Sequence, residues 1–271
     1  MARRGRALGI IGCHLLEDEM VHVLGKDRDM RRIVLIDNNV SDTILGKLEG
    51  LTPKREILLL SEKALADQDL GGDGTVIVWQ KPIELHVLPW ELRDSVLSSL
   101  RNIERHCGAV LLFYGLCGNA FRNFESLVAE FDVPVTIMTD HSGQVVDDCI
   151  GTAIGGVDEY LHLLRTNSGT FYLTPMWSSN WKRFFVDIRV IQDINDLDGA
   201  RYVFQFMGYK RVLKIETGLG DVELFEKDAA EFARTFDLDL TDVPAGVKVA
   251  ERSYEAAKEL LTNGRMKIPP I

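Results

Sequence analysis

The segment GAVLLFYG, residues 108 to 115, is an apolar run of strand length with a glycine at each end. A strand with one face in water alternates apolar and polar residues. A strand of a parallel sheet is instead covered by helices on both faces and is apolar throughout. The segment therefore predicts a strand at the centre of a parallel sheet.

Shorter runs of the same character are separated by stretches with helical spacing. In the helix predicted from Trp90 to His106, for example, Leu92, Val96 and Leu100 lie four residues apart. Strands that alternate with helices predict an α/β fold with a doubly wound, mostly parallel sheet. The shorter runs are ALGIIGC (7–13), RRIVLID (31–37), REILLL (55–60), TVIVWQ (75–80) and VPVTIM (133–138).

The last third of the chain shows a second α/β alternation, with strands predicted in YKRVLKIE and LDLTDV and helices around them. The aromatic stretch FYLTPMWSSNWKRFF, residues 171 to 185, is interpreted as a packed connection. We predict a main domain at residues 1–185 and a smaller α/β lobe at residues 186–271, which ends in a helix and the tail MKIPPI.

Composition excludes several classes of partner. The net charge is −10, which opposes binding to nucleic acid or an anionic membrane, since such partners need clustered Lys and Arg. The longest apolar runs fall well short of the ~18 residues that span a bilayer. We therefore predict a cytoplasmic protein with neither nucleic acid nor membrane as a partner. In a reducing compartment, cysteines are more often buried, catalytic or metal-bound than paired in disulfides.

Three of the four cysteines follow predicted strands or lie in turns beside glycine. Cys13 ends the first strand, Cys117 lies in the turn GLCGN after the central strand, and Cys149 lies in VVDDCIG. The carboxyl ends of parallel strands meet at one edge of the sheet, where ligands of such folds bind. The cysteines are therefore predicted to converge there, while Cys107 is assigned to the core.

Convergent thiolates suit zinc or an iron–sulfur cluster, and three of them leave a fourth position open for a substrate. His86 and Asp148 are candidate fourth ligands. Acidic neighbours such as Asp148 would raise the pKa of a thiol unless a cation were bound. Glu17, four residues after Cys13, is a candidate general acid or base. The alternative is that the cysteines only pack at strand ends.

The chain also resembles a known family, at GCHLLEDEMVHVL, LLFYGLCGNA, VVDDCIG and GTFYLTPMW. This is the family called domain of unknown function sixteen thirty-eight, from methanogenic archaea and anaerobic bacteria, and the resemblance covers most of residues 7–260. It implies shared cysteines at positions 13, 117 and 149 and a shared LH element at His86. It also implies a setting, because such proteins are often encoded near corrinoid-dependent methyltransferases.

These observations lead to one principal hypothesis and two alternatives. The principal hypothesis is a zinc-dependent methyltransferase, or a partner of one, in corrinoid-linked one-carbon metabolism. In it His86 is a fourth ligand or proton acceptor, and the pocket around a small-molecule substrate is shaped by Gly115, Gly118 and Asn119. The first alternative is an iron–sulfur protein for electron transfer or reductive activation. The second is a non-catalytic, two-lobed protein that binds a small anion through ETGLGD and GLCGN.

Overall fold

The structure is a computed structural model that describes residues 6–263. Its larger sheet has six parallel strands in the order β3-β2-β4-β1-β5-β6. These strands are β1 (Ala7–Cys13), β2 (Arg32–Asp37), β3 (Glu56–Ser61), β4 (Thr75–Lys81), β5 (Cys107–Phe113) and β6 (Val135–Ile137).

Ten helices accompany the strands within the described residues. They are α1 (Glu17–Lys26), α2 (Ser41–Glu49), α3 (Pro89–Ile103), α4 (Phe124–Val128), α5 (Cys149–Ile154), α6 (Val157–Thr166), α7 (Pro175–Asp187), α8 (Leu197–Phe206), α9 (Val222–Phe236) and α10 (Lys248–Asn263). Short 3-10 segments lie at His14–Leu16, Glu62–Asp67, Ile83–Val87 and Glu104–His106. In the part of the chain that the structure describes, no helix has the length and hydrophobicity to cross a membrane.

Strand β1 is central and is covered on both faces. A side-chain carbon added at Gly9 would lie 3.0 Å from Cδ1 of Ile103 in α3, and one at Gly12 would lie 2.5 Å from Sδ of Met20 in α1. Since residues 9 and 12 point to opposite faces of the strand, α1 and α3 cover opposite faces of the sheet. The predicted doubly wound α/β class is confirmed.

A smaller sheet, also parallel, contains β7 (Thr170–Leu173), β8 (Arg211–Glu216) and β9 (Asp239–Pro244) in sequence order. One face packs against α7, α8 and α9 through an aromatic core. The other face packs Leu213 and Ile215 against Ala153 of α5. The aromatic core includes Phe171, Trp181, Phe185, Phe204, Phe232 and Phe236.

The interpretation of residues 171–185 as a connection is wrong, because this stretch contains most of β7 and most of α7. The Thr174 hydroxyl accepts a hydrogen bond from the Trp177 amide (3.4 Å), and Pro175 occupies the first turn. Both are signals for the start of a helix. Phe171 and Tyr172 lie in β7, whereas Trp181, Phe184 and Phe185 lie on the buried side of α7.

The elements also group differently from the predicted boundary at residue 185. Strand β7 pairs in the smaller sheet, and α10 returns to the larger sheet to pack beside β5. The Tyr254 hydroxyl of α10 donates to Asp27, the residue after α1 (2.6 Å). The domain boundary at residue 185 stays a prediction, and the predicted tail MKIPPI lies outside the described residues.

Candidate functional site

Cys13 is buried at the carboxyl end of β1, in the middle of the larger sheet. Its Sγ lies 3.7 Å from Nε2 of His86 and accepts a hydrogen bond from the Leu15 amide at 3.4 Å. The His86 ring comes from the 3-10 segment that follows β4, the strand adjacent to β1. Two of the predicted ligands are therefore direct neighbours.

The His86 ring is oriented by its own segment. Its Nδ1 lies 3.2 Å from the Ile83 carbonyl oxygen, which accepts a hydrogen bond when Nδ1 carries the proton. Burial lowers the pKa of His86 to about 4, so the ring is neutral at neutral pH. Nε2 is then the nitrogen with the free lone pair, and it faces the Cys13 sulfur. This is the arrangement found around metal-ligating histidines.

Cys117 lies in a tight left-handed loop just after β5. The φ angles are 46° at Cys117, 66° at Gly118 and 68° at Asn119. Such a conformation costs roughly 1–2 kcal/mol at a non-glycine residue, so the surrounding structure must hold it. The Cys117 amide does so by donating to the Asp147 carbonyl at 2.7 Å.

Gly115 allows the segment that leads to Cys149 to lie directly against this loop. A side chain at residue 115 would overlap the Val146 carbonyl oxygen and lie 2.8 Å from the Asp148 nitrogen. The Leu116 amide donates to that same Val146 carbonyl (2.8 Å). Gly115 thus lets the loop that carries Cys117 lie directly against the segment that leads to Cys149, while its predicted role in a substrate pocket stays a prediction.

Cys149 is the first residue of α5, directly after the residue that caps that helix. Asp148 accepts hydrogen bonds from the amides of Ile150 (2.8 Å) and Gly151 (3.0 Å) and from the Tyr160 hydroxyl (3.1 Å). Both carboxylate oxygens are therefore engaged in protein hydrogen bonds. His86, whose Nε2 makes no such bond to the backbone, is the better placed of the two candidate fourth ligands.

The three thiols influence one another electrostatically. Burial, the dominant cause, raises the pKa of Cys13 to about 12 and raises those of Cys117 and Cys149 well above the usual thiol value. Negative charge on Cys13 adds to the shift at both of the other thiols, and Asp148 adds to the shift at all three. The predicted convergence is supported to this extent, and without a nearby cation the thiols stay protonated.

Within residues 6–263, no three or more His, Cys, Asp or Glu side chains form a group arranged to hold a metal ion. Among the predicted ligands of the described residues, Cys13 and His86 are the pair within hydrogen-bonding distance, with Sγ and Nε2 3.7 Å apart. Cys107, in contrast, is fully buried at the start of β5 beside Gly9, which confirms its assignment to the core.

Glu17 lies in a separate buried network. Its carboxylate accepts hydrogen bonds from Thr43 (2.7 Å) and Gln80 (3.0 Å) and pairs with the Lys47 amine at 2.8 Å. Among the acidic residues that begin α1, it is Glu19 whose charge adds to the pKa shifts of Cys13 and Cys149. Glu19 is itself buried, and burial raises its pKa to about 7.

Sequence reasoning missed Glu19 and Tyr114. Glu19 lies in the first turn of α1 with Glu17 and Asp18, and only its position in the folded helix distinguishes it from them. Tyr114 carried a signal that could have been used, since it is the polar residue that ends the apolar run before Gly115. A hydroxyl at a buried strand end calls for a partner.

A cavity of about 780 Å³ opens at the opposite, amino-terminal edge of the larger sheet. Asp27 there accepts hydrogen bonds from Tyr254 (2.6 Å) and Lys258 (2.7 Å). We place the candidate site at the carboxyl edge because the thiols lie there with acidic neighbours and the buried Tyr114 hydroxyl there has no partner among the described residues.

The sequence matches the model of a protein family over residues 81–254, which contain β5 to β9 with Cys117 and Cys149 but not β1 to β3 or Cys13. The family is described as Protein of unknown function (DUF1638), and the chain belongs to it. A search of the curated proteins found no match. The resemblance carried by the cysteine segments is thereby confirmed at the level of the family.

Proposed function

We propose that this protein is a cytoplasmic metal–thiolate protein that holds zinc through Cys13, Cys117 and Cys149 beside an open position, with His86 as a fourth ligand or a proton acceptor. The observation that carries the proposal is the distance of 3.7 Å between the Cys13 Sγ and the His86 Nε2. Two ligands of one tetrahedral zinc, with bonds of about 2.3 Å to sulfur and about 2.0 Å to nitrogen, lie roughly 3.6 Å apart. Rotation of the Cys117 and Cys149 side chains on binding would complete the group.

The charges around the thiols also favour a cation. Asp148 acts on all three thiols, Glu19 acts on Cys13 and Cys149, and the other thiols act on Cys117 and Cys149; all of these groups are anionic when ionised. Thiolates in such surroundings need a positive partner, and a divalent ion supplies two charges at one point. Zinc or another thiophilic metal fits this donor set better than a hard cation such as magnesium.

We further propose methyl transfer as the reaction class, in partnership with a corrinoid-dependent methyltransferase system and a small-molecule substrate. Bound zinc lowers the pKa of a thiol that ligates it and so presents a methyl acceptor as a thiolate. Among the chain's own residues, His86 holds Cys13 in place or accepts the proton. The Gly115 turn brings Cys117 and Cys149 together, and Gly118 and Asn119 shape the loop beside them.

Elemental analysis of anaerobically purified protein tests the proposal. We expect about one zinc per chain in the wild type and strong loss in Cys13→Ala, Cys117→Ala and Cys149→Ala. The matched control is Cys107→Ala, which removes a buried thiol from the core and should retain the metal. Equal metal content in Cys117→Ala and Cys107→Ala would contradict a shared site.

The same preparation separates the two alternatives. A brown protein that absorbs near ~400 nm would support an iron–sulfur cluster on the same cysteines and exclude zinc. Thermal stabilisation by inorganic phosphate that survives Cys117→Ala would support the anion-binding alternative. Against an anion, the cavity of about 160 Å³ beside the ETGLGD loop is lined by Asp18, Asp221 and Asp228, and its Lys47 already pairs with Asp18 at 2.6 Å.

A further inference from the structure

Tyr114 is fully buried, yet its hydroxyl has no hydrogen-bond partner among residues 6–263. Buried hydroxyls nearly always have a partner, because burial without one loses the hydrogen bonds made to water in the unfolded chain. An unpaired hydroxyl in this position therefore points to a hydrogen-bond partner that forms only when the protein binds a ligand.

The position of Tyr114 relates it to the thiols. Gly12 of β1 is level with Phe113 of β5, so the next residues along these parallel strands, Cys13 and Tyr114, follow at the same edge. The Tyr114 ring centroid lies 6.2 Å from that of His86. Burial is the first cause of the raised pKa of Tyr114. Negative charge on Cys13 and on Cys117, which would act directly on the Tyr114 hydroxyl, is the second.

Protonated thiols are weak hydrogen-bond acceptors, whereas thiolates are strong ones. The hydroxyl of Tyr114 therefore gains a good acceptor only when the thiols ionise, which metal binding requires. No other donor or acceptor of the described residues takes up the hydroxyl.

We infer that the Tyr114 hydroxyl donates a hydrogen bond to a metal-bound thiolate, that of Cys13 or Cys117. Tyr114 is then a positioning residue that holds the sulfur and disperses part of its charge. The inference rests on the proposed metal site and adds a residue to it that neither the family match nor the ligand pattern assigns. Such partners of metal ligands typically change metal affinity by about 10–100-fold when they are removed.

Tyr114→Phe removes only the hydroxyl and keeps the ring. Cobalt(II) is the probe, because its thiolate charge-transfer bands report directly on the electron density at sulfur. We expect Tyr114→Phe to bind cobalt about 10–100-fold more weakly in competition with a chelator, and to shift the charge-transfer band. The melting temperature of the metal-free variant should be unchanged or higher, because a buried unpaired hydroxyl is removed.

Tyr172→Phe is the matched control. The Tyr172 hydroxyl is also without a hydrogen-bond partner in the described part of the chain, but Tyr172 lies in β7 and no thiol appears among the causes of its pKa shift. This variant should bind cobalt with the wild-type affinity and spectrum. A purely structural role for Tyr114 would lower the stability of the metal-free protein and leave the cobalt spectrum unchanged.

The outcomes separate this inference from the proposal on which it rests. If the wild type binds no cobalt, the metal site itself is refuted, and the role of Tyr114 with it. If wild type and Tyr114→Phe bind cobalt with equal affinity and equal spectra, the metal site stands and only the role of Tyr114 is refuted. Equal weakening in Tyr114→Phe and Tyr172→Phe would also refute it, because the effect would not depend on contact with the thiols.

Discussion

The carboxyl edges of the two sheets differ in whether the protein itself supplies partners for their buried polar groups. In the smaller sheet, Lys214 is fully buried, and its amine contacts the carboxylates of Glu216 (3.0 Å), Asp242 (3.3 Å) and Glu226. These contacts outweigh burial and raise the pKa of Lys214 above its usual value. The positive charge therefore has its counter-charges within the protein.

In the larger sheet the equivalent edge lacks such compensation. Its thiols are surrounded by further acidic groups, and the Tyr114 hydroxyl is unpaired among the described residues. A cluster that is complete in itself stabilises the fold, whereas one that lacks a positive partner indicates a site for a ligand. The variants below test this difference, from the largest expected effect to the smallest.

Gly115→Ala should have the largest effect, because the added methyl group meets the backbone of residues 146–148 rather than a flexible side chain. We expect the free energy of unfolding to fall by about 3 kcal/mol, measured by urea denaturation, since overpacking against backbone has no easy relaxation. Metal content should fall as well, because Cys117 and Cys149 are moved apart.

Gly46→Ala is the control for this change. Residue 46 lies within α2, and an added side-chain carbon would meet nothing within 4 Å. We expect stabilisation of up to about 1 kcal/mol from the better helix propensity of alanine, with unchanged metal content. If Gly115→Ala were as stable as the wild type, the close approach of the two loops would not be a constraint.

Glu19→Gln should stabilise the metal-free protein, but only above the acidic range. Burial raises the pKa of Glu19 from 4.5 to about 7, so the folded state binds the proton more tightly than the unfolded state. The wild type therefore loses stability as the pH rises from about 4.5 to about 7. The glutamine variant avoids this loss, and at pH ~8 we expect it to be more stable by on the order of 3 kcal/mol.

Urea denaturation of the metal-free proteins at pH ~4 and pH ~8 measures the difference. Near pH ~4 the two proteins should have equal stability, because Glu19 is then protonated in both the folded and the unfolded state. Glu223→Gln, at an exposed position in the first turn of α9, is the control and should show no such gain. A gain of the same size at both pH values would rule out ionisation of Glu19 as its cause.

Lys214→Met tests the carboxyl edge of the smaller sheet, where the buried charge has its counter-charges within the protein. Its three carboxylates would lose their shared counter-charge, but each is about half exposed, so water relieves part of their repulsion. We expect a loss of about 2 kcal/mol, below the values for fully buried pairs, from thermal or urea unfolding. Metal content should not change.

Lys210→Met, at an exposed neighbouring position, is the control. Equal losses in the two variants would mean that the buried cluster contributes nothing to the free energy of unfolding.

Much of the larger sheet could be predicted from the sequence, because strands covered on both faces must be apolar. The runs that contain β1 and β5 carry that pattern without interruption, and both are buried as expected. The rule that parallel strands end at a common edge also placed Cys13 and Cys117 at the same edge. The position of these two cysteines at one edge was therefore predictable from the sequence.

The remainder depended on packing between distant segments. The orientation of His86 is set by the Ile83 carbonyl within a 3-10 segment, which has no distinct sequence pattern. Whether the carboxyl group of Glu17 or that of Glu19 acts on the thiols depends on how α1 lies against the sheet, since both residues are buried in the same turn. The return of α10 to the larger sheet is a long-range contact that an amphipathic pattern does not specify.

Helix α5 gives the molecule a mechanical link. It begins at Cys149, next to the loop of the larger sheet, and four residues later Ala153 packs against the smaller sheet, where its carbonyl accepts the Gly246 amide at 2.8 Å. A single short helix thus bears on both sheets. A rotation of one sheet relative to the other would therefore move α5 and change the position of the Cys149 sulfur.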